Sequence, residues 1–334
     1  MVRRALAILV AAALTAGCAG ATDRMTPALS ASASPTPKPD PQSLPALFDD
    51  DISGGDLKRG RFIGDFGPYR SWEVTFRSGK LTISGVLNVP KRDGPFPAVV
   101  LNHGHIEPSI YRTGQGMERE RDYLARAGFV VLHNDYRGHA GSDDVDPTDL
   151  EFRLGYTRDA IAAVKALRGM SEVRDDQVAL AGRSMGGGVV FNALVVDPGL
   201  VKAAVVWSSV STRYIDNFRQ WTETDRPDRA AEVTERWGTV EENPKFWAGL
   251  SSRTYFDRID AAVMMHHGTL DESCPYEWAE ATRDALRRAD VDLSFRSYEG
   301  EHHTFFPQWE LSMERTVDFL RSEMGVASRT STSA

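Results

Sequence analysis

Short apolar segments recur along the chain, separated by longer amphipathic stretches, and this alternation limits the fold more than any other feature. Strands covered by helices on both faces are apolar throughout, whereas a strand with one wet face alternates apolar and polar residues. The predicted strands are Pro97–Leu101, Phe129–His133, Val178–Ala181, Ala203–Trp207, Ala262–His266 and Val291–Tyr298. The predicted helices are Gln115–Ala127, Tyr156–Arg168, Met185–Val196, Tyr276–Ala289 and Gln308–Met324. This order predicts an α/β fold with a mostly parallel, doubly wound sheet.

Two segments depart from the alternation. The stretch Trp72–Pro90 contains two alternating runs around a Ser-Gly-Lys turn, which predicts an antiparallel hairpin that opens the sheet. Residues 208–256 mix polar and aromatic residues without a clear strand, and we expect them to form a helical cap inserted over the carboxyl edge of the sheet. The main domain is therefore expected to span residues 51–325, with a disordered tail at 326–334.

The first residues have the layout of a secretory signal. Two arginines precede an apolar run, Ala5–Ala13, which is too short to span the hydrocarbon of a bilayer. The segment that ends at Cys18 reads Leu-Thr-Ala-Gly-Cys and resembles the lipobox of bacterial lipoproteins, whose cysteine is lipidated and becomes the mature N-terminus. We expect a signal peptide at 1–17 and an exported lipoprotein anchored by Cys18 on the outer face of a bacterial cell membrane. Ordinary signal cleavage nearby is the alternative.

Composition limits the partners of the chain. Residues 18–50 are rich in Pro, Ser, Ala and Thr without an apolar period, so we expect a flexible tether. The formal net charge is -8, and no run of Lys or Arg could follow a phosphate backbone, so nucleic acid is not an expected partner. Besides Cys18 the only cysteine is Cys274, so no disulfide is expected. We predict a packed thiol at Cys274, because no base is adjacent and Pro275 follows as a helix opener.

A predicted strand runs into Gly182-Arg183-Ser184-Met185-Gly186, and a predicted helix follows. This is the Gly-x-Ser-x-Gly pattern in the strand–turn–helix context that lifts a serine hydroxyl above a sheet. Glycines let strand and helix approach closely, because they lack a Cβ atom. We predict Ser184 as a nucleophile and the amide of Met185 as an oxyanion donor at the helix start. An incidental serine at a glycine-rich helix start is the alternative.

A nucleophilic serine needs a base, and neutral histidine is the usual one near neutral pH. His303 lies between the last predicted strand and the last helix, from where it reaches back over the sheet edge, and its neighbour His302 is the rival. The acid of such a triad follows the penultimate strand. Asp271 lies there and is predicted to orient the histidine, with Glu272 as the alternative. The histidines at 266–267 close a buried strand, so packing is expected there rather than metal binding.

The loop after the first predicted parallel strand is the place for a second oxyanion donor. His103-Gly104-His105 lies in this loop. We predict that the backbone amide of His105, or of Ile106, faces Ser184. The side chains of the two histidines are expected to pack in the loop or to line the substrate rim.

From about Trp72 to Met324 the chain resembles the catalytic domain of the prolyl oligopeptidase family of serine peptidases and related α/β-hydrolases, such as dienelactone-hydrolase-like esterases. The matching motifs are His103-Gly104, Asn134–Gly138 with Gly141, Gly182–Gly187, His267–Asp271 and Tyr298–Phe305. The resemblance implies an α/β-hydrolase fold and places the catalytic histidine on His303. The family has glycine on both sides of that histidine, whereas His302 and Thr304 stand there in this chain.

These motifs point to acyl transfer to water through an acyl-enzyme on Ser184, on small-molecule esters or amides, without cofactor or metal. Many family members carry a β-propeller before the catalytic domain, whereas a tether and a hairpin lie upstream here, which favours esters over peptides. A peptidase acting on short peptides or acylated amino acids is the alternative. A non-catalytic surface lipoprotein that binds a ligand with its aromatic cap is the hypothesis from another class. The acidic stretch 142–149 is expected to be a solvated loop rather than a calcium site.

Overall fold

A mixed sheet of nine strands crosses the part of the chain that the computed structural model describes, residues 38–146 and 151–326. The strands are β1 Gly54–Asp65, β2 Tyr69–Ser78, β3 Leu81–Pro90, β4 Phe96–Asn102, β5 Val130–Asn134, β6 Val173–Arg183, β7 Ala203–Trp207, β8 Ala262–Gly268 and β9 Leu293–Tyr298. Their order across the sheet is β1-β2-β3-β5-β4-β6-β7-β8-β9. The pairs β1 with β2, β2 with β3 and β3 with β5 are antiparallel, and the others are parallel. The predicted hairpin and the mostly parallel sheet are confirmed.

Helices cover both faces of this sheet. The α-helices are α1 Glu118–Arg126, α2 Leu154–Arg168, α3 Met185–Val196, α4 Tyr214–Asn217, α5 Glu223–Asp225, α6 Pro227–Trp237, α7 Pro244–Gly249, α8 Tyr276–Arg288 and α9 Trp309–Glu323. A π-helix spans Phe218–Thr222, and 3₁₀ helices span Leu44–Leu47, Pro108–Ile110 and Ser252–Arg258. Within β4, Ala98 and Val100 face the core with α2, α3 and α8, and Val99 and Leu101 face the core with α1 and α9. Both faces are dry, which explains why the strand is apolar throughout.

The chain between β7 and β8 folds into helices α4 to α7, in the region where the sequence predicts a cap. The aromatic rings of this region pack against one another. The ring centroid of Phe152 lies 5.1 Å from that of Trp237 and 5.6 Å from that of Phe246. Phe218 and Trp247 lie 4.8 Å apart, and both are buried. These rings join the main core beneath them, and this packing accounts for the aromatic content without a substrate.

Strand β1 is not predicted by the sequence. It reads Gly-Gly-Asp-Leu-Lys-Arg-Gly-Arg-Phe-Ile-Gly-Asp, and most of its residues are exposed, so it lacks the apolar pattern of a buried strand. It is an edge strand held by antiparallel pairing with β2. The guanidinium of Arg59 lies 4.7 Å from the ring centroid of Trp72 and 2.6 Å from Glu172. Backbone pairing with β2 and these side-chain contacts therefore stabilise the strand without apolar burial.

The packed chain begins before the expected domain boundary at residue 51. Composition assigns the stretch 18–50 to a tether, but Leu44 and Leu47 lie in a 3₁₀ helix and are fully buried in the main core. The assignment of these residues to the tether is therefore wrong. Two isolated leucines carry the packing, and the average composition of the stretch conceals them.

Several N- and C-terminal predictions lie outside the described residues. These are the signal peptide at 1–17, Cys18 with the first part of the tether, and the tail beyond residue 326. Among the helices that the structure describes, none combines the length and the apolar character that a membrane crossing requires. The acidic stretch 142–149 lies partly within the described residues, and there Asp143 accepts a hydrogen bond from the amide of Thr82 at 2.7 Å.

Replacing Gly186 by alanine is expected to destabilise the fold strongly. A Cβ at this position of α3 would lie 2.6 Å from the carbonyl oxygen of His103 and closer still to that of Asn102. Backbone atoms of a central strand cannot move aside, so we expect the free energy of unfolding to fall by about 3 kcal/mol or more in urea denaturation. Gly169→Ala is the control, since the nearest atom to a Cβ there is 3.5 Å away. Equal stability of the two variants would contradict this contact.

Candidate active site

Ser184 occupies the turn between the end of β6 and the start of α3, with φ of 55° and ψ of -120°. Few residues other than glycine adopt a positive φ, and such strain persists only where the surrounding structure holds it. The Ser184 amide donates to the carbonyl oxygen of Trp207 at 3.0 Å, and the Ser184 carbonyl accepts from the amides of Gly187 at 3.0 Å and Val210 at 3.2 Å. The turn therefore lies at the carboxyl edge of the sheet, as the Gly-x-Ser-x-Gly pattern predicts.

The loop after β4 passes beside this turn. A Cβ at Gly104 would lie 3.2 Å from the Cβ of Ser184, so a side chain there would push the loop and the serine apart by a few tenths of an ångström. His105 follows Gly104, and its side chain is exposed. On the other side, Met185 is the first residue of α3, where an amide has no partner inside the helix. The loop therefore lies beside Ser184, and the amides of Met185 and His105 as oxyanion donors stay predictions.

Asp271 and His303 meet across the loops that follow β8 and β9. The Nδ1 atom of His303 lies 2.9 Å and 3.0 Å from the two carboxylate oxygens, and the amide of Cys274 donates to Oδ1 at 2.8 Å. Burial alone would raise the pKa of Asp271, but the hydrogen bond and charge of His303 and the amide of Cys274 bring that pKa below its usual range. The ionised carboxylate holds the Nδ1 side of the ring and directs Nε2 away from itself.

The rival residues form a separate, exposed pair. Nδ1 of His302 lies 3.1 Å from Oε2 of Glu272, and the two side chains are 60% and 61% exposed. The side chain of His303 is only 14% exposed, and that of Asp271 is buried. The structure therefore distinguishes an inner pair, Asp271 with His303, from an outer pair at the surface.

The other histidines singled out in the sequence pack inside the domain or line the loop. His266 lies 2.8 Å from the Tyr298 hydroxyl and 3.0 Å from the Thr316 hydroxyl, and burial lowers its pKa to about 3. His267 lies 2.8 Å from a backbone carbonyl oxygen. Burial likewise lowers the pKa of His103 to about 3, so this ring is neutral at physiological pH. Among residues 38–146 and 151–326, no group of three His, Cys, Asp or Glu side chains is arranged to hold a metal ion.

Cys274 lies at the centre of the site, which its sequence position did not reveal. Its amide donates to Asp271, and its thiol is in hydrogen-bond contact with the side chain of Ser184. The residue is fully buried, and burial raises the pKa of the thiol far above its usual range. The thiol is therefore protonated, which confirms the prediction of a packed cysteine and disfavours a thiolate nucleophile.

Two charged side chains hold residues 299–308, here named the histidine loop because it carries His303. Glu301 is fully buried and accepts hydrogen bonds from two backbone amides of the loop, at 2.5 Å and 2.7 Å. Arg119 of α1 donates to the carbonyl oxygens of Thr304 at 2.8 Å and Phe305 at 3.2 Å. These contacts give the loop a defined backbone path without regular secondary structure.

A second buried carboxylate connects the serine turn with the last helix. Oε1 of Glu120 accepts from the Arg183 guanidinium at 2.5 Å and from the Trp309 indole at 2.7 Å. Burial would raise the pKa of Glu120, but the charge of Arg183 and the hydrogen bond of Trp309 lower it below its usual range. Arg183 directly precedes Ser184, and Trp309 follows the histidine loop. Sequence reasoning missed this contact because its partners lie 63 and 189 residues from Glu120, and no local pattern marks it.

Comparison with known structures finds neighbours that are named as an esterase and as a peptidase. Acetyl xylan esterase 1 from Thermoanaerobacterium sp. JW/SL YS485 superposes with a TM-score of 0.63 and 18% identity, over 84% of this chain and 95% of its own. A puromycin-hydrolyzing peptidase from Mycobacterium tuberculosis superposes with a TM-score of 0.59 and 22% identity, over 82% of this chain and 40% of its own. At these identities the likeness shows an α/β-hydrolase fold.

Sequence comparison shows the family. An uncharacterized peptidase of Bacillus subtilis, YtmA, is 22% identical over 254 residues, which is 75% of this chain and 93% of the relative. The model of the prolyl oligopeptidase family matches residues 116–326, more than half of the chain, and this match covers the serine turn and the loops of Asp271 and His303. The chain therefore belongs to the prolyl oligopeptidase family and is a serine hydrolase of esters or peptides.

Proposed function

We propose that Ser184, His303 and Asp271 form the catalytic triad of a serine esterase. The observation that carries the proposal is the pair of His303 and buried Asp271, since two short contacts orient the imidazole toward the carboxylate. A serine held at positive φ on the same edge of the sheet supplies the nucleophile. Cys274 links the two parts, because it contacts Asp271 through its amide and Ser184 through its thiol.

In this mechanism the Ser184 oxygen attacks the carbonyl carbon while Nε2 of His303 takes the hydroxyl proton. The Nδ1 proton of the ring stays between His303 and Asp271, whose ionised carboxylate stabilises the imidazolium. His303 then returns its Nε2 proton to the leaving alcohol, and the acyl group remains on Ser184. Water, deprotonated by the same nitrogen, releases the carboxylic acid and restores the serine.

Negative charge develops on the carbonyl oxygen during attack and requires hydrogen-bond donors. The amide of Met185 lies at the start of α3, where the helix field favours an anion. The amide of His105 is the second donor in this proposal, and the close approach of Gly104 to Ser184 supports it.

We propose small esters as the preferred substrates, with short peptides or acylated amino acids as the second candidate. An amine must be protonated before it leaves, whereas an alkoxide departs more readily, so ester cleavage makes the smaller demand on His303. A peptidase name in the sequence relative supports the second candidate, and an esterase name among the structural neighbours supports the first.

We further propose that the protein is exported and held by lipid at the outer face of the cell membrane. The support is the sequence alone, with its paired arginines, its short apolar run and the lipobox-like segment that ends at Cys18. Cleavage before Cys18 would remove the short apolar run. Acyl chains on Cys18 would then supply the membrane affinity of the mature protein.

Ser184→Ala is expected to lower kcat/KM for a short p-nitrophenyl ester by about 10⁴-fold or more, because it removes the atom that carries the acyl group. Asp271→Asn is expected to cost about 10⁴-fold, because the ring loses its orientation and its counter-charge. A panel of esters and matched aminoacyl amides, assayed with wild type and both variants, measures these losses and the ester preference. Retained ester turnover in Ser184→Ala would remove the serine from the mechanism.

The two neighbouring histidines provide a matched pair of variants. His303→Gln is expected to lower kcat/KM by about 10⁴-fold, because no ring remains to accept the serine proton. His302→Gln removes an exposed ring paired with Glu272 and is expected to change kcat/KM by less than about threefold. The reverse result would assign the base to His302.

Thiol alkylation is expected to leave the folded enzyme active. Burial raises the pKa of the Cys274 thiol, so little thiolate exists for iodoacetamide to attack at about pH 8. Peptide mapping by mass spectrometry should find Cys274 labelled only after unfolding in urea. Loss of activity in step with labelling of the native protein would contradict a protonated, packed thiol.

Cys18→Ser is expected to abolish incorporation of a labelled fatty acid in the producing cell and to release the protein from the membrane fraction. Cys274→Ser is the control, because it removes the other cysteine and leaves the lipobox-like segment intact. Label that persists in Cys18→Ser would contradict lipidation at this residue.

A further inference from the structure

Arg153 places a positive charge between the nucleophile helix and the cap. It precedes α2 with φ of 62°, and its side chain is half-buried. Its Nη1 atom lies 3.6 Å from the position that a Cβ of Gly188 would occupy, one helical turn beyond Ser184 in α3. Its guanidinium carbon also lies 5.8 Å from the ring centroid of Tyr214 in α4.

Arg153 has no carboxylate in ion-pair contact within the described residues. Two other inward-facing arginines meet carboxylates, Arg137 at 2.9 Å from Asp159 and Arg183 at 2.5 Å from Glu120. The Arg153 guanidinium forms neither an ion pair nor a hydrogen bond with residues 38–146 or 151–326. A partly buried charge without a partner carries a desolvation cost, which a bound anion would offset.

The field of Arg153 acts on both sides of Ser184. Although His105 is exposed as a residue, partial burial of its imidazole lowers the pKa of that ring; the charge of Glu107 opposes this shift and the charge of Arg153 adds to it. Burial raises the pKa of the Cys274 thiol, and the charge of Arg153 opposes that rise. His105 follows the glycine that touches Ser184, and the Cys274 thiol contacts the serine itself. The charge of Arg153 therefore reaches two groups that flank Ser184.

A small cavity with mostly polar lining residues adjoins Arg153. Asn192 and Ser252 also line it, and their side chains have no hydrogen-bond partner in the described part of the chain, although they are only 8% and 3% exposed. The cavity volume is about 10 Å³, the room that one oxygen-sized group needs. A guanidinium, a carboxamide and a hydroxyl therefore converge on one space with unused donors.

We propose that Arg153, with Asn192 and Ser252, binds a carboxylate of the substrate while Ser184 attacks the adjacent ester or amide bond. This inference rests on the proposed function and names its substrate class. The planar fork of arginine suits a carboxylate, and the cavity admits one carboxylate oxygen rather than a bulkier anion. Gly188, which lines the cavity, lies about one helical turn, roughly 5.4 Å, from Ser184, so we expect only a few bonds between the carboxylate and the scissile carbonyl.

Local contacts must supply this selectivity. The chain has a formal net charge of -8, so its overall field does not draw anions toward the surface. The carboxylate belongs either to the acyl group or to the leaving alcohol, and both fit the same guanidinium. The substrates of the test are chosen to separate these two sources.

Matched anionic and neutral substrates test the proposal. Monomethyl glutarate is compared with its terminal carboxamide for the acyl side. The acetate ester of para-hydroxybenzoic acid is compared with that of para-hydroxybenzamide for the alcohol side. We expect wild-type kcat/KM to favour the carboxylate in one of the two pairs by about tenfold to a hundredfold, the effect of one charge-assisted hydrogen-bonded contact. Arg153→Gln is expected to remove this preference, and the pair that shows it identifies the side that carries the carboxylate.

The readout is the ratio of kcat/KM within a pair, because a loss of folded enzyme cancels from it. Asn192→Asp places a carboxylate in the cavity beside Arg153 and is expected to lower the same ratio by about tenfold. Arg219→Gln is the control, since Arg219 is an exposed arginine 3.4 Å from Glu241 in the cap region, and its ratio is expected to equal that of wild type.

Two failures remain distinguishable. If wild type cleaves the neutral esters but shows no preference in either pair, or keeps its preference in Arg153→Gln, the carboxylate site is overturned and the esterase stands. If wild type cleaves no ester of either pair, or Ser184→Ala cleaves them as fast as wild type, the proposed function fails and the carboxylate site fails with it.

Discussion

The close contact between α3 and the central strands is the constraint on which the site depends. At Gly186 the helix backbone lies against the carbonyl oxygens at the end of β4, with no space for a Cβ. The contact holds Ser184 at a positive φ, which few other residues would adopt unsupported. Since β6, β8 and β9 are parallel, the turn at Ser184 and the loops of Asp271 and His303 all lie at one edge of the sheet.

Buried charged side chains restrict the positions of these loops further than the ends of the strands do. A buried ion pair adds little net stability, because desolvation offsets most of the attraction, but losing one partner leaves a costly unpaired charge. Glu120 therefore works as a geometric link, with Arg183 next to Ser184 and Trp309 after the histidine loop. Arg153 differs from Arg183 and Arg137 in this respect, since it forms no ion pair within the described residues.

Local signals in the sequence predicted most of the scaffold and the candidate triad. The bounds of α3 and β7 agree with prediction because apolar runs end at polar or glycine residues there, and Asp271 follows from chain order. Strand β1 was not predicted, because an exposed edge strand has no apolar period. The sequence also did not predict the buried Leu44–Leu47 turn or the environment of Arg153. Each depends on contacts with distant parts of the chain, which a single sequence does not show.

The histidine loop shows how the chain does without the glycines that its family places beside the catalytic histidine. The positive φ values in this loop fall on Gly300, at 73°, and Phe305, at 51°, and not on His302 or Thr304. Side chains at the two replaced positions therefore create no backbone strain. The strained position, Phe305, is fully buried, and Arg119 binds its carbonyl oxygen. A positive φ is usually found at glycine. At Phe305, burial of the ring and the charge-assisted hydrogen bond from Arg119 stabilise this conformation instead.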